Sequence, residues 1–224
     1  MKYLISFWLE PVALILYLGA FLLFTLRFDR SFHFRVLCSY YLMASIIMLK
    51  VFRGPNIFVY NVMYVFNALA LGQYFYSLLI GKRKRMVAVL LMMVPLIYYI
   101  VNNVVFGGEE VFDSLGYVLS SIVIVIMIFM FLSQTLANVT EDLLSMNFNF
   151  WYVASQLIYQ LGAFIVFLTF NYLTKKILTA DYSHENRAVL TKLWGLHNVL
   201  LFLSALLTIF GVVWISSHKK LRSS

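Results

Sequence analysis

A chain of 224 residues in which 63% are hydrophobic and only 12% charged, with a mean hydropathy of +0.89, lies far from the soluble norm of about 45–50% apolar and about 25% charged residues. These figures exclude a water-soluble globular domain and leave a single membrane domain over 1–224. The net charge of +8 is carried by Lys and Arg gathered at the ends of apolar runs, a topology signal that gives no reason to expect nucleic acid as a partner.

The first span is expected over residues 4–26, retained rather than cleaved, because its apolar stretch is long and no small-x-small site follows it cleanly. Glu10-Pro11 interrupts its opening turns. Proline is tolerated where a helix begins, so the regular helix is expected to start at Pro11 and to leave Glu10 near the interface. Arg27, Arg30 and Arg35 crowd the first loop against Asp29 alone. The second span, residues 36–52, is short and holds Lys50 near its end, where the long side chain can snorkel. Its Cys38 is the chain's one cysteine and cannot form an intrachain disulfide. Arg53-Gly54-Pro55-Asn56 has the chemistry of a tight turn.

The third span, residues 57–80, carries no charged side chain and rises about 36 Å at about 1.5 Å per residue, enough to cross a bilayer core of about 30 Å. Gly81 then leads into Lys82-Arg83-Lys84-Arg85. Along this span Tyr60, Tyr64, Asn67, Leu71 and Tyr74 recur at steps of four and three, which places them on one helical face. A face with so many polar tips is expected to turn inward, making this helix one of the least lipid-exposed. The fourth span, residues 86–106, has Pro95 in its middle, where a proline removes a backbone hydrogen bond and kinks the helix, and Asn102 and Asn103 at its end.

The loop 107–116 holds Glu109, Glu110 and Asp113 and no base. The fifth span, residues 117–136, is the most lipid-like. A polar loop, 137–149, follows with Glu141, Asp142 and the sequon-like Asn138-Val139-Thr140, a weak three-residue match. The sixth span, residues 150–173, repeats the polar theme with Tyr152, Gln156 and Gln160 at steps of four. Ser183 can cap a last helix with Glu185 in its first turn; that helix is about 50 Å long and contains the seventh span, residues 193–217.

The fold expected is an all-α integral membrane protein, a seven-transmembrane-helix bundle with the N-terminus outside and the C-terminus cytoplasmic. Orientation rests on the contrast between Lys82 to Arg85, four bases without an acid, and the acidic loop after the fourth span; the fifth and sixth loops point the other way. The expected location is the inner (plasma) membrane of a bacterium.

In that orientation the outer half collects Glu10, Tyr60, Asn61, Tyr64, Asn67, Asn102, Asn103 and His197, the candidate ligand-binding residues. Glu10 is expected to be the only carboxylate within reach of the apolar slab and His197 the only imidazole at comparable depth, and an ionisable group there is a functional-site hypothesis by default. The structural alternatives are a solvated Glu10 beside a helix start and an interfacial His197 next to Trp194. Tyr74, Gln156 and Gln160 read as a polar pathway or as interhelical contacts, which in membranes average only about 0.6 kcal/mol and are common. Lys82, Arg83, Lys84 and Arg85 are topology determinants first, and a docking surface for anionic lipid or a protein second.

The absences weigh against an enzyme. There is no HExxH, no GxSxG and no span with paired Asp or Glu. His33, His184, His197 and His218 supply no pair of buried haem ligands, and no lysine stands mid-span in the last helix; no metal or cofactor is expected. The expected function is receptor-like or sensory, with output through a separate protein partner and contact with membrane lipids. Small-molecule transport or conduction, or a structural role in a membrane complex, are the alternatives. In span count and orientation alone, the chain resembles bacterial seven-helix sensor domains that feed kinases or cyclases, which implies that output here passes through a partner.

Overall fold

The computed structural model describes residues 2–27, 31–51, 57–106, 112–137, 147–179 and 184–222. Every regular element among them is helical: α1 (Lys2–Arg27), α2 (Phe32–Val51), α3 (Ile57–Leu78), α4 (Lys82–Tyr99), α5 (Ser114–Leu136), α6 (Phe148–Thr179) and α7 (His184–Arg222), with α4 running on as a π-helical stretch, Ile100–Val105. Hydrocarbon offers no partner to a peptide group, so apolar segments must close their hydrogen bonds internally, and the helix does so. Stretches of α1, α4, α5, α6 and α7 are long and apolar enough to cross a membrane, and α2 adds a shorter apolar helix. In α3 the side chains of Asn61, Asn67, Gln73 and several tyrosines dilute the apolar character. The molecule is a helical membrane bundle.

Helix bounds differ from the sequence reading in three instructive places. α1 does not begin at Pro11 but runs through it from Lys2, so Glu10 sits inside a helix and is buried rather than solvated at its start. The bases Lys82 to Arg85 form the first turn of α4 instead of a loop. There they face the positive end of the helix dipole, which disfavours cations, so the dipole is not what places them. Residues 114–116 belong to α5. The Arg53-Gly54-Pro55-Asn56 turn, Asp29, Arg30, Glu109, Glu110, the 138–146 segment with its sequon and acids, and Ser183 lie outside the described residues.

The α3–α4 turn is tightly specified. Gly81 adopts φ 97°, a left-handed backbone value that glycine takes without steric penalty. Gln134, from the far end of α5, accepts from the Ile80 amide (2.7 Å) and donates to the Leu78 carbonyl (3.1 Å), occupying groups left open where α3 ends. Arg85 folds back to donate to the Leu79 carbonyl (2.9 Å) and lies over the Tyr76 ring at 5.7 Å.

Contacts between helices run α1–α2–α3–α5–α6–α7 and back to α1, a closed ring of six. Among the described residues α4 touches only α3 and α5 and lies outside that ring; 22% of its apolar stretch is buried, against 50% for α5. Because lipid tails are as apolar as leucine, close packing and polar contacts must hold such helices together. The inward face of α3 supplies both: Tyr64, Ala68, Leu71, Tyr74 and Phe75 are fully buried. The helix presents the face that its periodicity selects.

One end of the ring is filled with aromatic rings. Phe24 stacks on Phe148 at 4.1 Å, Phe21 meets Tyr152 edge-on at 4.8 Å, and Tyr74 meets Tyr152 edge-on at 5.1 Å. Tyr17 stacks on Tyr41 at 4.7 Å, and the Tyr41 and Tyr152 hydroxyls share a hydrogen bond of 2.9 Å. Aromatic pairs at such spacings contribute about 0.5–1.5 kcal/mol each beyond the area they bury.

Candidate functional site

The other half of the ring is not filled. A cavity of about 50 Å³ is lined by all six ring helices: Glu10 and Leu14 from α1, Tyr40, Tyr41 and Met48 from α2, Met63 and Asn67 from α3, Tyr117 from α5, Gln156 and Tyr159 from α6, and Trp194, His197 and Leu201 from α7. No residue of α4 reaches it. At roughly 10–15 Å³ per water the space holds a few waters or one small head group, well short of a drug-sized pocket.

Two ionisable residues, Glu10 and His197, line this space. Glu10 is 8% exposed, and no described residue donates a hydrogen bond to its carboxyl group or forms an ion pair with it. His197 is 3% exposed, and its Nδ1 is buried without a partner. Rings close around the imidazole: Phe167 at 4.7 Å, Tyr159 at 5.5 Å and Trp194 at 5.6 Å. Trp194 in turn meets Tyr60 edge-on at 5.3 Å and Phe112 at 5.4 Å, so an aromatic wall stands behind the histidine. Burying an unpaired polar group is costly, and burying an unpaired charge far more so.

Several donors on the cavity wall are already spent. Tyr40 donates to Asn67 Oδ1 (3.2 Å), Tyr117 to the Tyr60 carbonyl (2.9 Å), and Gln156 Nε2 to the Tyr17 hydroxyl (3.0 Å). From Gln156 a polar trail leaves the cavity between α1, α6 and α7. Tyr17 bonds Ser204 (2.5 Å), Ser204 donates to the Ser155 carbonyl (2.6 Å), and the Ser155 hydroxyl pairs with Thr208 (2.8 Å). Gln160 donates to Gln156 Oε1 (3.4 Å), a contact within α6.

Of the residues singled out by sequence, Glu10, Asn67, Gln156 and His197 thus meet at one cavity, with Tyr60 one ring removed. The others do not join them. Asn61, Tyr64, Asn102 and Asn103 gather about a carboxylate that the sequence reading left in a loop: Asp113. Its Oδ2 accepts from the Tyr64 hydroxyl (3.0 Å) and from the Asn102 and Asn103 amides (3.2 Å each). Its Oδ1 accepts from the Tyr98 hydroxyl (3.2 Å) and the Gly116 amide (2.9 Å), while its own backbone N–H donates to Asn61 Oδ1 (2.8 Å). Glu10 is therefore not the only buried carboxylate.

The Asp113 cluster is built by two local devices. Asp113 is the N-cap of α5, taking up one of the open amides of its first turn. In an α-helix consecutive side chains diverge by about 100°, which would send Asn102 and Asn103 apart. The wider turn of the π-helical stretch lets both amides reach the same oxygen. Satisfied on both oxygens, Asp113 is a clasp between α3, α4 and α5 with no unfilled valence to offer a ligand.

Tyr74 belongs to the aromatic end, where its hydroxyl donates to Asn149 Oδ1 (2.7 Å). Lys82, Arg83 and Arg85 are exposed and Lys84 half-exposed on the first turn of α4. Among the described residues no group of His, Cys, Asp and Glu is arranged to hold a metal ion. No family model, no curated protein and no solved structure matches this chain.

Proposed function

We propose that the chain is a seven-span, receptor-like protein of the bacterial inner membrane, N-terminus outside and C-terminus cytoplasmic. In this reading it binds a small ligand in the Glu10–His197 cavity and passes a helix shift to a separate protein partner. The observation that carries this reading is the asymmetry of the ring: a polar cavity at one end, and at the other a buried stack of Phe21, Phe24, Phe34, Phe148 and Tyr152. A cavity touching all six ring helices also lets one small occupant bias every one of them. The bases of the α4 first turn lie at the end opposite the cavity, where the positive-inside rule favours the cytoplasm and where anionic lipid or a partner can dock.

The test needs no ligand. Leu14→Trp fills the cavity from α1, and spin labels at Leu26 and Leu136, both exposed at the ends of α1 and α5, report the distance at the opposite end. A receptor of this kind shifts that distance by about 1–2 Å, the scale of signalling helix movements. An unchanged distance distribution removes the receptor reading.

Transport is the second reading, favoured by the trail from Gln156 through Tyr17 and Ser204 to Ser155 and Thr208. It requires flux across reconstituted vesicles that Asn67→Leu or Gln160→Leu abolishes. A purely structural subunit would instead co-purify with a stoichiometric partner and respond to neither test.

A further inference from the structure

Resting on the cavity as a binding site, the chemistry of its walls narrows what it takes, and we infer that the occupant is a small ammonium cation. Glu10 supplies the one carboxylate on the cavity wall, with no protein cation opposite it among the described residues unless His197 itself takes up a proton. The Tyr40 and Tyr117 hydroxyls and one N–H of the Gln156 amide are committed to protein acceptors.

An ammonium group brings the positive charge that no Lys or Arg supplies on these walls. The remaining surface is aromatic. Tyr40, Tyr41, Tyr117, Tyr159 and Trp194 line the space, and ring faces attract a desolvated cation. A carboxylate among aromatic rings, in a space sized for a few waters, suits a methylated ammonium head, whose charge is spread over its C–H groups. An anionic ligand would meet Glu10, and a purely apolar one would leave Glu10 unpaired.

The experiment uses the full chain, purified in nanodiscs, and follows thermal unfolding against tetramethylammonium chloride. Sodium chloride at equal ionic strength serves as the salt control and tert-butanol as a neutral solute of similar size. The expected result is a saturable rise in Tm with tetramethylammonium alone, its half-saturation moved at least tenfold by Glu10→Gln and, independently, by Trp194→Leu; Glu10→Asp, which keeps the charge, retains binding. Should one variant fail to fold, the other carries the test. An equal effect of tert-butanol, an equal effect of sodium, a response unaltered in both folded variants, or no response at all overturns the assignment. Any of these leaves the Leu14→Trp distance measurement untouched, so the receptor reading stands or falls separately.

Discussion

The Tyr64 hydroxyl donates to the Asp113 carboxylate across 3.0 Å, and the Tyr64 ring covers Gly116, three residues further on, so closely that a Cβ there would come within 2.3 Å of the ring. One tyrosine of α3 thereby reads both the cap and the first turn of α5. The contact fixes the position of two helices that also face the cavity, through Met63 and Asn67 on one and Tyr117 on the other.

Removing the clasp should therefore cost more than removing any single member of it. Asp113 accepts five hydrogen bonds, and at about 0.6 kcal/mol for an average contact within a membrane bundle its replacement by alanine is expected to destabilise by about 3 kcal/mol. Tyr98→Phe, which deletes one donor, should cost under about 1 kcal/mol. Asp113→Asn keeps a capping side chain and should fall between the two. Reversible unfolding by increasing SDS in mixed micelles ranks the three, and equal losses would show that the cluster does not act as a unit.

Gly116→Ala forces its methyl group into the Tyr64 ring and is expected to destabilise by about 1–3 kcal/mol, as overpacking of a filled site does. Tyr64→Leu in the same background should recover part of that loss, giving a favourable coupling in a double-mutant cycle. Gly19→Ala is the control. Nothing lies within 4 Å of its Cβ position inside α1, so helix propensity alone should act and stability should be unchanged or slightly raised.

The proposed orientation can be tested by labelling. In a Cys38→Ser background, Lys84→Cys should be labelled by a membrane-impermeant maleimide only after the cytoplasmic face is opened, and Phe106→Cys from the outside of intact cells. Replacing Lys82, Arg83, Lys84 and Arg85 by glutamine should weaken or invert that pattern, because bases near span ends set topology. Labelling of Lys84→Cys from the outside in the otherwise unaltered chain would contradict the orientation.

How far these features could be read from sequence depends on what each residue's neighbours are. The buried face of α3 was legible because Tyr64, Leu71 and Tyr74 repeat with helical spacing, and a polar face in an apolar span has only one comfortable direction. Glu10 and His197 were legible as ionisable residues inside apolar stretches. That they share a cavity while Asn61, Asn102 and Asn103 go elsewhere was not, because it depends on which helices form the ring and on a π-helical turn without a local sequence signature. Asp113 was hidden by company: Glu109 and Glu110 nearby made it look like one more loop acid. The available signal was an aspartate directly before Ser114-Leu115-Gly116 and a long apolar run, the pattern of an N-cap.

A cavity that opens outward and holds a carboxylate should be reached from the outside and preferentially by cations. With Cys38 replaced by serine, a cysteine at Leu14 on the cavity wall is exposed to small thiosulfonate reagents added outside intact cells, one bearing an ammonium group and one a sulfonate. The expected result is modification from outside, faster with the ammonium reagent, slowed by tetramethylammonium, and no faster than the sulfonate reagent once Glu10→Gln is added. Modification only from the cytoplasmic side, or equal rates for both reagents with Glu10 in place, would contradict it.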